Sequence, residues 1–488
     1  MRYAKNRPIT LSAAACLLAA AGTTLAQEDA TEQPAEEPTA TEAAPVTAPK
    51  YNNLRFNEDW KGFEGGDDKW DSIKFIPLND EGSNYLSLGG QVRLRNEIWG
   101  DFGFNDASAA DDTFTQLRLR FHGDLHIGEH FRAFVEVKSS HMTDRDLPGS
   151  RRASDVDTLD LQNAFIDVNF SPGEKADLTF RGGRQELSFG KQRLVSPLDW
   201  SNTRRTFEGV RVIADFKGWE INPFWTELVA VDKYEFNDTD SGVELFGIYA
   251  TTDVTLAGSS FDWDLYWLGL SRDAATFNGT SGDEDRHTLG TRFGGKFGGT
   301  GFDADAEIAY QFGEVGSADI SAFMFASQFG YSFADATWAP RVYVGFDFAS
   351  GDDQAGDNDV GTFNQLFPLG HAYNGFIDTV GRQNIIDISA GISLKPADKW
   401  TAKLDLHVFN RVETEDALYN AGGGVVRAGA PGTSRDVGQE VDLTLIRVID
   451  SHTKAVAGYS HFFANDFIEE TGSSEDIDFL YFMLIYTF

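Results

Sequence analysis

From residue 84 to the C-terminus the chain keeps a period of two. Residues 86–97 alternate Leu86, Leu88, Val92 and Leu94 with Ser87, Gln91, Arg93, Arg95 and Glu97. Residues 113–127 alternate Leu117, Leu119, Phe121 and Leu125 with Gln116, Arg118, Arg120, His122, Asp124 and His126. Successive side chains of a strand point to opposite faces, so one face is apolar and the other carries charge. Eighteen such segments begin near Tyr85, Thr113, Phe131, Leu159, Leu178, Phe207, Trp219, Val243, Phe261, Arg286, Phe302, Asp319, Arg341, Asn384, Thr401, Val437, His452 and Ile477. Their connections alternate between short turns and mostly long loops, the latter at residues 100–111, 142–158, 188–205, 229–242, 272–283, 350–382, 412–435 and 464–474, with 314–318 as a short exception. That alternation, with an even strand number, is the pattern of a bacterial transmembrane barrel whose short turns are periplasmic. A soluble sandwich gives no reason for it. The expected fold is all-β: an 18-stranded antiparallel transmembrane β-barrel with short periplasmic turns and long extracellular loops. Backbone groups in hydrocarbon must all pair, so the first strand has to meet the last. Eighteen strands enclose an aqueous lumen rather than a filled core.

The ends of the chain fit this fold. Residues 476–488 read DIDFLYFMLIYTF and stop on Phe488. The stretch resembles the final strand of outer-membrane barrels, which implies that Phe488, Tyr486, Leu484 and Phe482 face lipid. Residues 1–26 read as a secretory signal: Arg2, Lys5 and Arg7, an apolar run, then Thr24-Leu25-Ala26 before the cleavage point. The single cysteine, Cys16, lies inside it, so the mature chain forms no disulfide. Residues 27–50, rich in Glu, Thr, Ala and Pro, read as a disordered acidic periplasmic tail. Residues 51–83 form a periplasmic lead-in that folds back under the barrel, and residues 84–488 form the barrel. Beyond the signal no apolar run reaches about 18 residues, so no helix spans the membrane. The formal charge of −35 argues against a nucleic-acid partner.

Several stretches resemble the alginate export porins of Gram-negative outer membranes: Phe56-Asn57-Glu58-Asp59-Trp60, GRQELSFG from Gly183, RLVSPLDWSNTRRTFEGVRV from Arg193, GTFNQLFPLGHAYNGF from Gly361 and YSHFFANDF from Tyr459. The resemblance implies a monomeric eighteen-stranded pore of the outer membrane that passes a polyanionic uronate polymer through an arginine-rich constriction.

A polyuronate carries a carboxylate on every sugar, and arginine holds carboxylates bidentately without deprotonating. By alternation the lumen candidates are Arg93, Arg95, Arg118, Arg120, Arg132, Lys138, Arg181 and Arg211. Arg184 joins them from the family stretch. Arg204 and Arg205 reach the constriction if the third long loop folds inward. Each has an alternative role, pairing with a lumen carboxylate and bracing the wall. Asp303, Asp305 and Glu307 share one strand face, and Asp405, Glu440 and Asp442 lie further on. The expectation is a basic arc facing an acidic arc across the lumen. Such an acidic arc also suits a general porin for small hydrophilic solutes, the second functional reading.

Asp353, Asp357 and Asp359 are spaced somewhat like a calcium loop, but no bidentate Glu follows, so a solvated loop bridged to lipopolysaccharide is the preferred reading, with no metal or cofactor assigned. Trp219, Trp225, Trp263 and Trp267 read as interfacial girdles. A barrel hydrolase is the third reading. No G-x-S-x-G is present, and the Ser460-His461 pair must face opposite ways in a strand, so no enzyme is expected. Periplasmic export partners, where they exist, have to reach the short-turn end.

Overall fold

The computed structural model describes residues 51–173, 176–256 and 258–488, so the signal and acidic tail lie outside the described residues. Eighteen long antiparallel strands follow one another around the sheet. They are β1 Asn84–Gly100, β2 Asp112–Ile127, β3 Phe131–Met142, β4 Asp157–Gly173, β5 Ala176–Gln185 and β6 Phe207–Phe216. Next come β7 Trp219–Val229, β8 Thr239–Leu256, β9 Ser259–Phe277, β10 Thr280–Lys296, β11 Phe302–Val315 and β12 Ala318–Ser332. The last six are β13 Arg341–Ala349, β14 Ile385–Leu394, β15 Trp400–Arg411, β16 Asp436–Val448, β17 Thr453–Ala464 and β18 Ile477–Thr487. β18 pairs with β1 from Gln91↔Thr487 to Gly100↔Asp478, and this closes the barrel. Two short strands, Ile76–Pro77 and Asp359–Val360, attach to β1 and β12.

The alternation read in the sequence sorts the faces. Leu94 is 46% exposed on the outer wall, while Arg93 and Arg95 beside it are each 2% exposed inside. Phe121, Ile166, Val344 and Leu443 continue the outer apolar band, which lipid covers. Phe482 and Leu484 of β18 belong to it as well. Phe488 does not stay open: the Trp70 ring stacks on it at 4.2 Å, and the Trp70 indole N–H donates to the Tyr486 hydroxyl (2.6 Å).

One expected long loop is absent. β9 and β10 run on through residues 272–283 and meet in a two-residue turn, with Phe277 opposite Thr280. The turn is Asn278-Gly279, both at positive φ (38° and 88°), the conformation that matches strand twist and that Asn-Gly favours. The acidic segment 350–361 is only partly solvated: Asp352 and Val360 are buried, and Asp359–Val360 runs parallel to Asp319–Ile320. Among the described residues no three His, Cys, Asp or Glu side chains are placed to hold a metal, Asp353, Asp357 and Asp359 included.

The main hydrophobic core lies inside the barrel. Leu187, Phe189, Leu194 and Val195 from residues 186–206, with Phe363, Ile377 and Val380 from residues 361–384, pack against lumen-facing Phe224, Tyr249, Tyr266 and Phe409. Two long loops therefore fold into the lumen and meet there. The Ser196 N–H donates to the Phe367 carbonyl (2.9 Å), Phe367 N–H to Leu194 (2.8 Å), and Leu369 N–H to Gln192 (3.0 Å). Those bonds satisfy backbone groups that would otherwise be stranded inside the barrel.

The candidate conduit and its inward loops

The arginines named from the alternation all lie on the inner face, and most of them hold the inward loop. Arg93 and Arg118 stand directly opposite one another on β1 and β2. Both forks close on the peptide at residues 199–201. Arg93 donates to the carbonyls of Asp199 (2.7 Å) and Ser201 (2.8 Å), and Arg118 to the same two carbonyls (3.0 Å each) and to the Asp199 carboxylate (2.8 Å). Two facing cations are tolerated there because a carboxylate and carbonyl dipoles lie between them. Arg120 pairs with Glu136 (2.8 Å) and lies 3.7 Å from Glu186. Arg204 bridges Glu186 and Asp199 and donates to the Asn53 side-chain oxygen (2.8 Å).

Four of the remaining basic candidates are braced by acids of neighbouring strands. Arg132 pairs with Asp124 (2.7 Å), Lys138 with Asp157 (2.9 Å), Arg181 with Asp167 (2.7 Å), and Arg184 with both Asp160 (2.6 Å) and Glu208 (2.7 Å). Arg211 donates to the Asn222 side-chain oxygen (2.6 Å), and Arg205 donates to the Ser196 carbonyl (3.2 Å).

The expected separation into a basic and an acidic arc does not hold. Acids are interleaved with the arginines of β1–β6, and the acids of β11 have cations of their own. Asp303 pairs with Arg341 (2.5 Å), Asp305 with Arg292 (2.5 Å) and Arg193 (2.6 Å), and Glu307 with Arg193 (3.1 Å). Burial is the reason: an ionised group taken out of water needs an adjacent counter-charge, so mixed pairs win over a field spread across the barrel. Only a remnant of the acidic arc survives, on β14–β16. There Asp405 accepts from Tyr343 (2.5 Å), Asp387 faces His407 (2.8 Å), and Glu440 accepts from the Ile377 N–H (2.8 Å), with Asp442 beside it. Ser460 is buried inside while His461 points outward, so the pair forms no nucleophile–base couple.

Three cavities follow the interior, and His371 borders each of them. The largest, about 610 Å³, opens at the long-loop end between Phe104, Arg145, Arg152, Arg205 and Arg427. Its floor is a stack: the Arg95 guanidinium 4.0 Å from the Trp200 ring, Trp200 on His371 at 3.7 Å, and His371 on Phe376 at 4.5 Å. Toward the short-turn end two smaller cavities continue. One, about 380 Å³, is lined by Asn53, Arg93, Lys191, Asp199 and Lys454. The other, about 270 Å³, is lined by Arg193, Arg341, Asp347, Lys403 and Asp405. Among the basic candidates Arg93, Arg95 and Arg205 thus border open space, and among the acidic ones Asp405 does. The alternation did not reveal Trp200, His371, Arg193 or Lys191. All but Lys191 lie within the two stretches beginning at Arg193 and Gly361, and that motif content was the available signal.

A closed eighteen-stranded barrel with an apolar belt, inward loops and a charged interior is an outer-membrane channel of the porin class. The solved structures it resembles share that architecture. OccK11 (OpdR) of Pseudomonas aeruginosa matches with TM-score 0.51 and 13% identity over 82% of this chain and 95% of that one. Acinetobacter baumannii OccAB2 matches with TM-score 0.53 and 10% identity over 82% and 98%. Pseudomonas aeruginosa OpdK, solved with vanillate, matches with TM-score 0.51 and 10% identity over 82% and 98%. None of the curated proteins compared matches the sequence. The alginate export family model matches residues 84–481, and the chain belongs to that family. Its place is the outer membrane of a Gram-negative cell.

Proposed function

We propose that the barrel passes anionic oligosaccharide or polysaccharide of the uronate type by passive diffusion. The observation that supports this most directly is the sign of charge along the interior. The chain carries a formal −35, yet each of the three cavities has more Lys and Arg than Asp and Glu on its walls: five against three, three against one, and three against two. An excess of one sign on low-dielectric walls raises the local concentration of the opposite ion. The family match supports the same cargo class. Direction is set by gradients and by periplasmic partners, since a passive pore has none of its own.

The test is planar-bilayer conductance of the refolded chain in a potassium chloride gradient, followed by added oligouronate. Anion selectivity with block by oligouronate is the expected result. A weakly selective conductance indifferent to uronate would reject the cargo and leave a general porin. Among single residues, Arg205→Ala should reduce the anion preference, because Arg205 borders the outer cavity and donates to a carbonyl, not to a carboxylate.

A further inference from the structure

The lead-in does not stop beneath the barrel. Residues 51–60 enter its short-turn mouth and lie along the inner faces of β1–β4. Phe56 packs edge-on to Phe134 (5.8 Å) and Phe165 (5.4 Å), both lumen-facing, with the Arg181 guanidinium 4.8 Å from its ring. Its carbonyl accepts from Arg132 (2.6 Å). Arg55 pairs with Glu58 (2.6 Å) and donates to the carbonyls of Gly90 and Phe488 (3.0 Å each), so it spans the seam where the first and last strands meet. Deeper still, the Asn53 side chain meets Arg204 of the inward loop (2.8 Å) and borders the 380 Å³ cavity beside Arg93 and Asp199.

We propose that residues 51–60 are a fixed part of the conduit wall, an insert that narrows the short-turn half of the lumen, and that Asn53 is a specificity-determining residue beside the path. The proposal rests on the channel reading above. Its physical basis is twofold. The segment is fastened to the wall at several separated points, each a charge-assisted bond or an aromatic contact. It also fills lumen volume that would otherwise be open to water. Asn53 is exposed although it lies within the barrel, which fits a residue facing a water-filled path.

The experiment uses the full chain with Cys16→Ser, so that an introduced cysteine is the single thiol. Asn53→Cys is reconstituted in a planar bilayer and treated with an anionic methanethiosulfonate, and mass spectrometry reports labelling. Labelling should cut conductance to half or less and move the reversal potential toward cations. Leu94→Cys, on the lipid face, should conduct unchanged after the same treatment. A labelled Asn53→Cys with unaltered conductance, or a thiol that aqueous reagent never reaches, overturns the proposal. Phe56→Ala, which removes the wedge and leaves the strand ladder intact, should raise conductance and admit larger solutes; wild-type conductance and exclusion limit in that variant would also overturn it. Absence of conductance in the untreated parent would instead reject the channel reading itself.

Discussion

Removing Arg204 should release the inward loop without unfolding the barrel. Arg204, Arg118 and Arg120 face Glu136, Glu186 and the partly exposed Asp199 in one network, and Arg93 lies against the Asp199 peptide as well. In Arg204→Ala, Asp199 keeps Arg118, whereas the fully buried Glu186 loses its close cation and is left with Gln162 (2.9 Å) and an Arg120 that lies 3.7 Å away and already pairs with Glu136. Breaking a buried pair from one side costs about 3–5 kcal/mol. The strand ladder is untouched, since Arg204 lies between β5 and β6, so the cost falls on the docking of residues 186–206. At about 1.4 kcal/mol per decade, the undocked population rises roughly a hundredfold or more. Arg204→Lys keeps the charge but cannot reach both carboxylates and Asn53 together. It loses at least one charge-assisted bond, about 1.5–3 kcal/mol, and should fall between wild type and alanine. Single-channel recording reads the effect as frequent high-conductance openings, ordered alanine, lysine, wild type. Records from Arg204→Ala that match the wild type would falsify the argument that this network holds the loop.

Further outcomes test other levels of the fold. Leu94→Arg places a charge on the lipid face opposite Leu117 and Leu484, and should cost about 2–4 kcal/mol in urea titration of the barrel folded into vesicles. Trp70→Ala loses the stack on Phe488 and the bond to Tyr486, about 2 kcal/mol together, and should lower the midpoint of heat-induced loss of the compact gel form. Burial in the 350–361 segment pushes the Asp352 carboxyl up from 3.8 to about 6, despite the Asn278 side-chain donor. A raised carboxyl favours the folded segment while it stays protonated, so that stabilisation is present below about pH 4 and is lost as pH rises through about 6. Residues 350–361 should therefore be cleaved by added protease faster at pH 8 than at pH 5, and Asp352→Asn should flatten the difference; an equal pH dependence in both would refute the assignment.

The fold was legible because a membrane barrel writes itself locally. Lipid outside and water or protein inside force opposite polarity on successive residues, and each strand pairs with its sequence neighbour, so the period of two and the turn lengths set strand number and closure. The chain from Tyr85 to Phe488 therefore announced eighteen strands, and the inward direction of Arg93, Arg118 and Arg120 followed from parity. Residues 272–283, expected as a long loop, hold instead a two-residue Asn278-Gly279 turn between strands that run on. The interior was different. Which cation meets which carboxylate depends on how residues 186–206, 361–384 and 51–60 lie within the lumen, and those contacts join residues as distant in sequence as Asn53 and Arg204, or Arg55 and Phe488. An arginine on the inner face has the same sequence signature whether it borders a cavity, as Arg95 does, or holds a buried peptide, as Arg118 does. Only the tertiary structure separates them, because the cost of an unpaired buried charge is decided by what packs against it in space.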